Sequence, residues 1–307
     1  MNKKAINWCI LIALALIWGS SFILMKRGMV VYASDEVAAL RIFIAFLVLT
    51  PLIFKHVKRV HLKFWPAFLG MGTLGNFLPA FLFTKAETVI SSSLAGMLNS
   101  LTPLFTLLFG VLLFKVKTKL WNALGILIGF IGAIGLLVAG KEEDMSSNLS
   151  YGLFVVLATV FYALSVNIIK KFLNEVPSVT ATVWALLFIG PLAGTYLFTG
   201  THFVEHLQTH PQAVSSLGYI CILAIFGTAV SVIIFNVLIR NTNALFASSV
   251  TYLIPIVAMC WGIFDGEAVL FQHFMWIVVI LLGVYLVNKK PAHTSPPAPL
   301  LEKEKGD

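Results

Sequence analysis

The sequence predicts an all-α integral membrane protein with ten transmembrane helices, and composition and hydropathy together carry that prediction. Of the 307 residues, 59% are hydrophobic and 11% are charged, whereas soluble domains carry about 25% charged residues. The mean hydropathy is +0.94. Ten apolar runs approach the roughly 20 residues that a helix needs to cross a bilayer, and little chain remains for a soluble domain. The runs lie at 6–25, 36–54, 64–84, 91–114, 121–140, 151–169, 179–199, 215–238, 244–264 and 271–288.

The net charge of +8 is distributed as in a membrane protein rather than as in a nucleic-acid-binding protein. Lysine and arginine concentrate in alternate loops, as at 55–63 and at Lys170 and Lys171, while most acidic residues fall in the loops between them. Because positively charged loops stay in the cytoplasm, we expect both termini there and a multi-pass protein of the bacterial inner (plasma) membrane. The acidic loop with Asp265 and Glu267 is then expected outside, in water.

Three of the early runs carry polar groups. Trp18 and Ser21 lie near the outer half of the first run, where they form either an interfacial anchor and packing notch or part of a cavity wall. Arg41 is the only full charge well inside any run. It either snorkels to the surface or is functional, which is the default for an intramembrane charge. Glycines and a proline interrupt the third run around Asn76, and Glu87 is expected to close that helix at the outer surface.

The fourth run, 91–114, is long enough to cross a membrane but too polar to face lipid on every side. At helical spacing Ser92, Asn99 and Thr102 fall on one side and leucines crowd the other. A hydrocarbon-facing amide has no partner, so the polar side faces other helices or water. Pro103 removes a backbone donor in mid-span, which is tolerable only where neighbours or a hydrated cavity satisfy the freed carbonyl. The stripe indicates close helix packing or a cavity wall, and the proline favours the cavity wall.

The second half of the chain repeats the order of the first half. Tyr162 and Ser165 stand in the sixth run where Trp18 and Ser21 stand in the first, at a constant offset of 144. Each half holds five runs, and an odd number of crossings inverts the second half. The sequence therefore predicts two inverted-topology five-helix repeats with a site between them near the midplane.

The ninth run resembles the fourth at an offset of 152, which aligns Pro255 with Pro103 and places Thr251 and Tyr252 beside it. The expected units are a first repeat at 1–140, an outer linker at 141–150, a second repeat at 151–290 and a disordered cytoplasmic tail at 291–307.

Five motifs stand in a fixed order along residues 5–290. They are Trp18-Gly19-Ser20-Ser21-Phe22 with Lys26; Ala38-Ala39-Leu40-Arg41; Ala95 through Pro103 to Gly110; Tyr252-Leu253-Ile254-Pro255; and Gly262-Ile263-Phe264-Asp265-Gly266-Glu267. In this order they resemble the ten-helix EamA-type branch of the drug/metabolite transporter superfamily. The resemblance implies two inverted repeats, a central substrate cavity and export of small metabolites such as amino acids. One departure from the family pattern is plain. Relatives usually have a Gly-Glu pair after the fourth helix as well as one like Gly266-Glu267, whereas this chain has Phe114-Lys115 after the fourth helix.

A cavity with amides, hydroxyls and aromatic rings would suit a neutral or zwitterionic solute with an apolar part. Together with the export that the resemblance implies, this predicts a secondary transporter that works by alternating access as an exporter, in which Arg41 meets a substrate carboxylate. The predicted substrate-binding residues are Trp18, Ser21, Arg41, Asn76, Asn99, Thr102, Tyr162, Ser165, Thr251 and Tyr252, with hinges at Pro103 and Pro255. No Asp or Glu lies deep inside a run, so a buried carboxylate relay is not expected. Facilitated transport, exchange and coupling through peripheral residues all stay open.

Two other classes compete with this reading. A membrane-embedded enzyme, such as a lipid-modifying transferase, would need paired carboxylates, a His/acid pair or a metal cluster, and none appears at suitable spacing. Cys9, Cys221 and Cys260 lie far apart, and we expect no metal, disulfide or cofactor. A lipid-carrier flippase or assembly subunit on the same scaffold is the other alternative. The expected partners are a small-molecule substrate and the bilayer, with no nucleic acid, for a monomer or weak homodimer.

Overall fold

The computed structural model describes residues 3–56, 62–116, 120–139, 142–242 and 244–288. These ranges consist of helices and turns and contain no β-strand. The α-helices are α1 Lys3–Gly28, α2 Ser34–His56, α3 Trp65–Gly72, α4 Leu78–Ala86, α5 Ser92–Leu98, α6 Thr102–Phe114, α7 Leu120–Val138, α8 Glu142–Phe172, α9 Ser178–Gly200, α10 Phe203–Thr209, α11 Ala213–Ala224, α12 Ser231–Asn241, α13 Ala244–Ser248, α14 Ile254–Phe264 and α15 Phe271–Asn288. The predicted tail at 291–307 and part of the basic loop at 55–63 lie outside the described residues.

Eight helical stretches in the described chain are long and apolar enough to cross a membrane. Numbered after the ten predicted runs, they are the first to fourth stretches, Ala5–Gly28, Ser34–His56, Trp65–Ala86 and Ser92–Phe114, and the sixth to ninth stretches, Leu149–Phe172, Ser178–Gly200, Ala213–Asn241 and Phe246–Phe264. Two shorter apolar helices, Leu120–Leu136 and Phe271–Val287, correspond to the fifth and tenth predicted runs. The all-helical, membrane-spanning class is confirmed, and the count of ten spans stays a prediction.

The third and eighth stretches each contain a π-helical segment, at Thr73–Phe77 and Ile225–Val230. In the third stretch Pro79 lacks an N–H, so the backbone ladder cannot continue regularly. The Asn76 amide compensates by donating to the Met71 carbonyl at 3.4 Å. Such π-segments concentrate at functional sites in membrane and soluble proteins.

The fourth and ninth stretches are interrupted by 3-10 turns, at Asn99–Leu101 and Ser249–Tyr252. Pro103 and Pro255 stand at the start of the helices that follow, where a missing N–H is tolerated. The Thr102 hydroxyl donates to the Asn99 carbonyl at 2.8 Å and so satisfies a group that the interruption frees. The interruptions expected at the two prolines are therefore present.

Two helix boundaries differ from the sequence-based expectation. Helix α8 begins at Glu142 rather than at 151, so most of the expected linker at 141–150 is helical. Residues 142–150 contain neither Gly nor Pro, and nothing in them stops a helix. Helix α10, Phe203–Thr209, has no counterpart among the ten runs, and it packs through Phe203 against Tyr32 with ring centroids 5.6 Å apart.

Helices α7 and α15 pack against each other in antiparallel directions. A side-chain carbon at Gly125 would meet the backbone of Gly283 and Val287, whereas one at Gly132 would meet Ile280. Glycines allow the two backbones to approach this closely. The glycine-rich fifth run is thus a helix-docking surface.

Candidate functional site

A cavity of about 90 Å³ lies inside the helical bundle, large enough to hold several water molecules. It is lined by α1, α2, α8 and the interrupted third, fourth, eighth and ninth stretches. The lining residues are Trp18, Ser21, Phe22, Met25, Arg41, Met71, Gly75, Asn76, Phe83, Asn99, Thr102, Tyr162, Ser165, Val166, Ile169, Gly227, Val232, Phe235, Asn236, Ser248, Val250 and Thr251.

The structure brings nine of the ten sequence-predicted site residues to this one cavity. Only Tyr252 is not part of its lining, and the predicted hinges Pro103 and Pro255 are buried beside it without lining it. Asn99 and Thr251 are 6% and 5% exposed, so both turn away from the outer surface of the bundle. Whether these residues bind a substrate stays a prediction.

Several polar groups of the cavity already hold helices together. The Trp18 indole N–H lies 3.0 Å from both the Gly227 carbonyl and the Ser231 hydroxyl, which joins α1 to the eighth stretch. The Ser21 and Thr251 hydroxyls donate to carbonyls within their own helices. In this conformation these groups shape the cavity walls, and fewer donors remain for a ligand than the sequence suggests.

Close approaches of a glycine to a serine join the two halves at two places. A side-chain carbon at Gly75 would clash with the Ser165 hydroxyl, and one at Gly227 would lie 2.9 Å from the Ser21 hydroxyl. Both contacts border the cavity, so the glycines are needed for the helices to pack around it.

Arg41 is the cation of the cavity, and its side chain is buried. Its Nε donates to the Thr228 hydroxyl at 2.7 Å, and its Nη2 lies 3.5 Å from the Gly227 carbonyl. Nη1 lies 3.8 Å from the sulfur of Met25. Among the described residues no carboxylate lies within ion-pair distance of this guanidinium. A buried cation without an anionic partner can bind an anionic group that enters the cavity.

Aromatic rings form the apolar part of the lining. Tyr162 stacks on Phe83 with centroids 5.9 Å apart, and Trp18 meets the edge-on ring of Phe235 at 5.0 Å. The charge of Arg41 acts on the Tyr162 hydroxyl, which places that phenol beside the guanidinium. The cavity thus combines one charge, a few amides and hydroxyls, and apolar rings, as small-molecule sites do.

A charged cluster closes one end of the bundle, and Glu267 is its centre. We call it the Glu267 cluster; its residues are Lys26, Arg27, Ser92, Ser93, Asp265 and Glu267. One Glu267 oxygen accepts the N–H and hydroxyl of Ser92 at 3.0 and 2.7 Å. The other oxygen accepts the same groups of Ser93 at 3.0 and 2.6 Å. A carboxylate at the start of a helix is stabilised by the free N–H groups and the helix dipole.

Two cations complete the Glu267 cluster. Lys26 Nζ lies 2.9 Å from Glu267 and 2.7 Å from Asp265, and Arg27 pairs with Asp265. The acidic side chains are only 6% and 10% exposed. The expectation that Asp265 and Glu267 stand in a solvated loop is therefore wrong. Burial by itself would raise the pKa of Glu267, but the hydrogen bonds from Ser93, Lys26 and Ser92 outweigh it and lower that pKa to about 2.

The opposite end of the bundle has no equivalent cluster in the described residues. Lys170 Nζ donates to the carbonyls of Ile239 and Thr242 at 3.1 and 2.9 Å. Lys115 is exposed and has a left-handed backbone, with φ of 56°. A lysine thus stands at the position that aligns with Glu267 at the offset of 152, and the two ends differ in charge.

Glu87 is the residue of this region that the sequence misplaces. It follows α4 directly, and the sequence puts it at the outer surface, yet it is only 8% exposed. Neither carboxylate oxygen has a hydrogen-bond partner among the described residues. Burial, followed by the charge of Glu267, raises the pKa of Glu87 well above its ordinary value, against the opposing charges of Arg41 and Lys26. Neighbouring Lys85 is exposed, and no hydrophobic pattern in the sequence signals that the chain buries the acid instead of the base.

Metal-ligand groupings of three or more His, Cys, Asp or Glu side chains are absent from the described part of the chain. The three cysteines are free thiols. The side chains that line the cavity offer charge pairing, hydrogen bonding and apolar contact.

Apolar helices around a polar cavity with one buried cation define a multi-pass membrane protein built to enclose a small solute. The chain belongs to the EamA-like transporter family, whose sequence profile matches residues 6–138 and 149–289. An uncharacterized transporter of Archaeoglobus fulgidus is 25% identical over 92% of this chain and 99% of its own. The uncharacterized inner membrane transporter YedA of Escherichia coli K12 is 26% identical, and the alignment covers 92% of each chain.

A solved crystal structure has the same fold, with a TM-score of 0.64 at 16% identity over 92% of this chain and 96% of that one. The relatives bear the names of transporters and not of enzymes. The chain is a multi-pass protein of the bacterial inner membrane.

Proposed function

We propose that the chain is a secondary transporter that moves a small neutral or zwitterionic metabolite with a carboxylate group, such as an amino acid, by alternating access. The observation that carries the proposal is Arg41, a buried guanidinium in the cavity wall without an anionic partner in the described chain. A substrate carboxylate would accept from Nη1 and Nη2, which in this conformation lie 3.8 Å from a sulfur and 3.5 Å from a carbonyl. The rings of Tyr162 and Phe83 would bury an apolar side group.

The proposed architecture is ten helices in two inverted repeats, divided at 1–140, 141–150, 151–290 and 291–307 as the sequence predicts. Four paired features support it: the two π-segments, the two 3-10 turns, the contacts Gly75 with Ser165 and Gly227 with Ser21, and the two separate family matches. In each pair, the residue numbers of the first-half and second-half members differ by about 144 or 152. Inverted repeats place a substrate site where the halves meet, which is where the cavity lies.

Alternating access requires an end that is closed and an end that can open. The Glu267 cluster supports closure at its end, because it ties α1 and α5 to the turn after α14. At the Lys115 end, Lys170 and Arg240 donate to backbone carbonyls, and no ion pair joins the described residues there. The Glu267 end is the outer end in the topology that the charge distribution predicts, so this conformation would open to the cytoplasm.

The decisive experiment compares Arg41→Gln with Arg240→Gln in proteoliposomes. Arg240 is an exposed arginine that contacts the Asn174 carbonyl, so its variant makes the same chemical change away from the cavity. Counterflow of radiolabelled glycine, L-alanine, L-threonine and L-leucine is measured with the free acids and their methyl esters as competitors. Wild type should prefer the free acids, and Arg41→Gln should lose that preference by roughly 10- to 150-fold, as for hydrogen bonds to a charged group.

Unchanged preference in an Arg41→Gln protein that inserts and elutes as a single species would contradict the assignment. Export, the direction implied by the resemblance, is tested by loading the same solutes inside the vesicles and following their efflux. A protein that moves lipid-linked carriers but none of these solutes would instead be a flippase. The expectation of a monomer or weak homodimer is tested on the same purified sample.

A further inference from the structure

Glu87 is a buried acid that the proposed substrate contacts do not use. Its backbone N–H caps α4 by donating to the Phe83 carbonyl at 2.9 Å. Its carboxylate is enclosed, and both oxygens lack a hydrogen-bond donor among the described residues. An ionised carboxylate without donors is unstable in such a place, whereas a protonated one is tolerated. The side chain is thus built for a neutral state in this conformation.

Three charged groups act on Glu87, and each comes from a different element of the bundle. Arg41 projects from α2, Lys26 from α1 and Glu267 from the turn after α14. Tyr162 of α8, which is beside Arg41, contributes a neutral phenol. Lys26 is already paired with Glu267 and Asp265 at 2.9 Å or less. Arg41 is therefore the cation whose charge Glu87 can offset.

The protonation of Glu87 consequently sets the charge of the cavity. With Glu87 neutral, the charge of Arg41 is uncompensated and attracts a carboxylate. With Glu87 ionised, part of that attraction is cancelled. Coupling of this kind is reciprocal, so a carboxylate bound to Arg41 must also favour the proton on Glu87.

We propose that Glu87 is a proton-binding site and that the proton on Glu87 and the substrate carboxylate on Arg41 occupy the protein together and cross together. The inference rests on the proposed function and deepens it by naming a carboxylate plus one proton as the transported pair. The proton is taken from water on one side and released to water on the other, with no other bond changed. The direction of net movement follows the sum of the solute gradient and the proton gradient. A metabolite that is concentrated inside therefore leaves together with a proton, whereas an inward proton gradient draws the metabolite in.

The experiment uses the full-length protein in liposomes, with the membrane potential clamped to zero by potassium and valinomycin. Accumulation of radiolabelled glycine, L-alanine, L-threonine and L-leucine is followed with and without an inward proton gradient, for wild type, Glu87→Gln and Lys85→Gln. Lys85 is the matched control, because it lies two residues away and is exposed.

Wild type and Lys85→Gln should accumulate the solute against its gradient when protons flow inward. Glu87→Gln holds the neutral state permanently and cannot release a proton, so it should lose the accumulation that the gradient drives, which is at most about tenfold per pH unit for one proton per solute. Wild-type counterflow should decline with rising pH, and the counterflow of Glu87→Gln should not. Gradient-driven accumulation by Glu87→Gln at the wild-type level would overturn the proposal.

An infrared measurement separates this proposal from the proposed function. The carbonyl band of a protonated carboxyl group should be present at neutral pH in purified wild type and Lys85→Gln, and absent in Glu87→Gln. Absence of the band in wild type overturns the proton site whatever the protein transports. Presence of the band in a protein that exchanges none of the four solutes supports the proton site and contradicts the substrate class.

Discussion

The ammonium of Lys26 lies 2.9 Å from a carboxylate oxygen of Glu267, although 241 residues separate them in the chain. The same carboxylate accepts four hydrogen bonds from Ser92 and Ser93. One side chain of the second half thus connects two helices of the first half. Because these contacts are charge-assisted and largely buried, they are stronger than typical surface ion pairs.

Glu267→Gln should loosen the closed end. An amide leaves Lys26 without one of its two acids and replaces an oxygen acceptor by a donor that faces Ser92 or Ser93. We expect a loss of about 2 kcal/mol in the free energy of unfolding, the scale of a charged hydrogen bond. We also expect a longer spin-label distance between Thr88→Cys and Ala268→Cys, two exposed sites flanking the cluster, in a protein whose three native cysteines are serines. Glu205→Gln, at an exposed acid paired with His202, is the control and should change neither.

The closed end should be insensitive to pH down to about 5. The pKa of Glu267 is lowered from 4.5 to about 2, so its contribution to stability is complete above pH 4.5 and is lost as the pH falls from there towards 2. The same spin-label distance in lipid nanodiscs should therefore be equal at pH 7 and 5 and longer at pH 3. A lengthening already complete between pH 7 and 5 would mean that another group controls the closure.

The sequence predicts the helices and the polar stripe well because both depend on local spacing. Asn99 and Thr102 lie on one helical side, and a lipid-facing amide is too costly, so their burial in a cavity follows from the pattern. Residues at corresponding places in the two halves, such as Trp18 and Tyr162, reach the same cavity for the same reason.

The sequence-based prediction fails for acids whose positions place them at the surface but which the fold buries. Glu267 stands in a charged turn that looks solvated, and only the approach of Ser92 and Ser93, about 175 residues earlier, makes it a buried acceptor. Serines at the start of a helix are a local signal of an anion site, but nothing local identifies the partner. Glu87 and Lys85 are equally polar neighbours, and tertiary packing alone decides which one is buried.

Gly75→Ala and Gly227→Ala should each destabilise the protein. The added carbon at Gly75 would clash with the Ser165 hydroxyl, and the one at Gly227 would lie 2.9 Å from the Ser21 hydroxyl. Overpacking of this kind costs about 1–3 kcal/mol, measured as thermal unfolding in detergent. Ser165→Ala should partly restore the Gly75→Ala protein. Gly218→Ala, where a new carbon meets nothing within 4 Å, should be neutral or slightly stabilising, and an equal loss there would remove the packing explanation.

Pro103→Ala and Pro255→Ala should slow transport if the interrupted helices flex during the cycle. Each proline begins a helix that follows a 3-10 turn, and alanine restores the missing N–H, which permits a continuous ladder. We expect lower counterflow rates with little change in the concentration for half-maximal rate. Pro191→Ala, in the interior of α9, is the control for proline removal as such. Wild-type rates for both variants would exclude a hinge role.

Lys115→Glu should give the opposite end a cluster of its own. Lys115 aligns with Glu267, and among the described residues the nearby cations Lys170 and Lys171 form no ion pair. Because Lys115 is exposed, we expect a gain of only about 0.5–1 kcal/mol, which shifts the population of the closed state at this end roughly twofold to fivefold.

The measurement for Lys115→Glu is the spin-label distance between Leu113→Cys and Asn241→Cys, two exposed sites at that end of the fourth and eighth stretches. Lys115→Gln removes the same positive charge without adding a carboxylate, so the difference between the two variants isolates the new attraction. The two ends close alternately if Lys115→Glu, but not Lys115→Gln, shortens the distance between Leu113→Cys and Asn241→Cys and lengthens the distance between Thr88→Cys and Ala268→Cys. Shortening at one end with no change at the other would mean that they move independently, because an alternating mechanism obliges one end to open as the other closes.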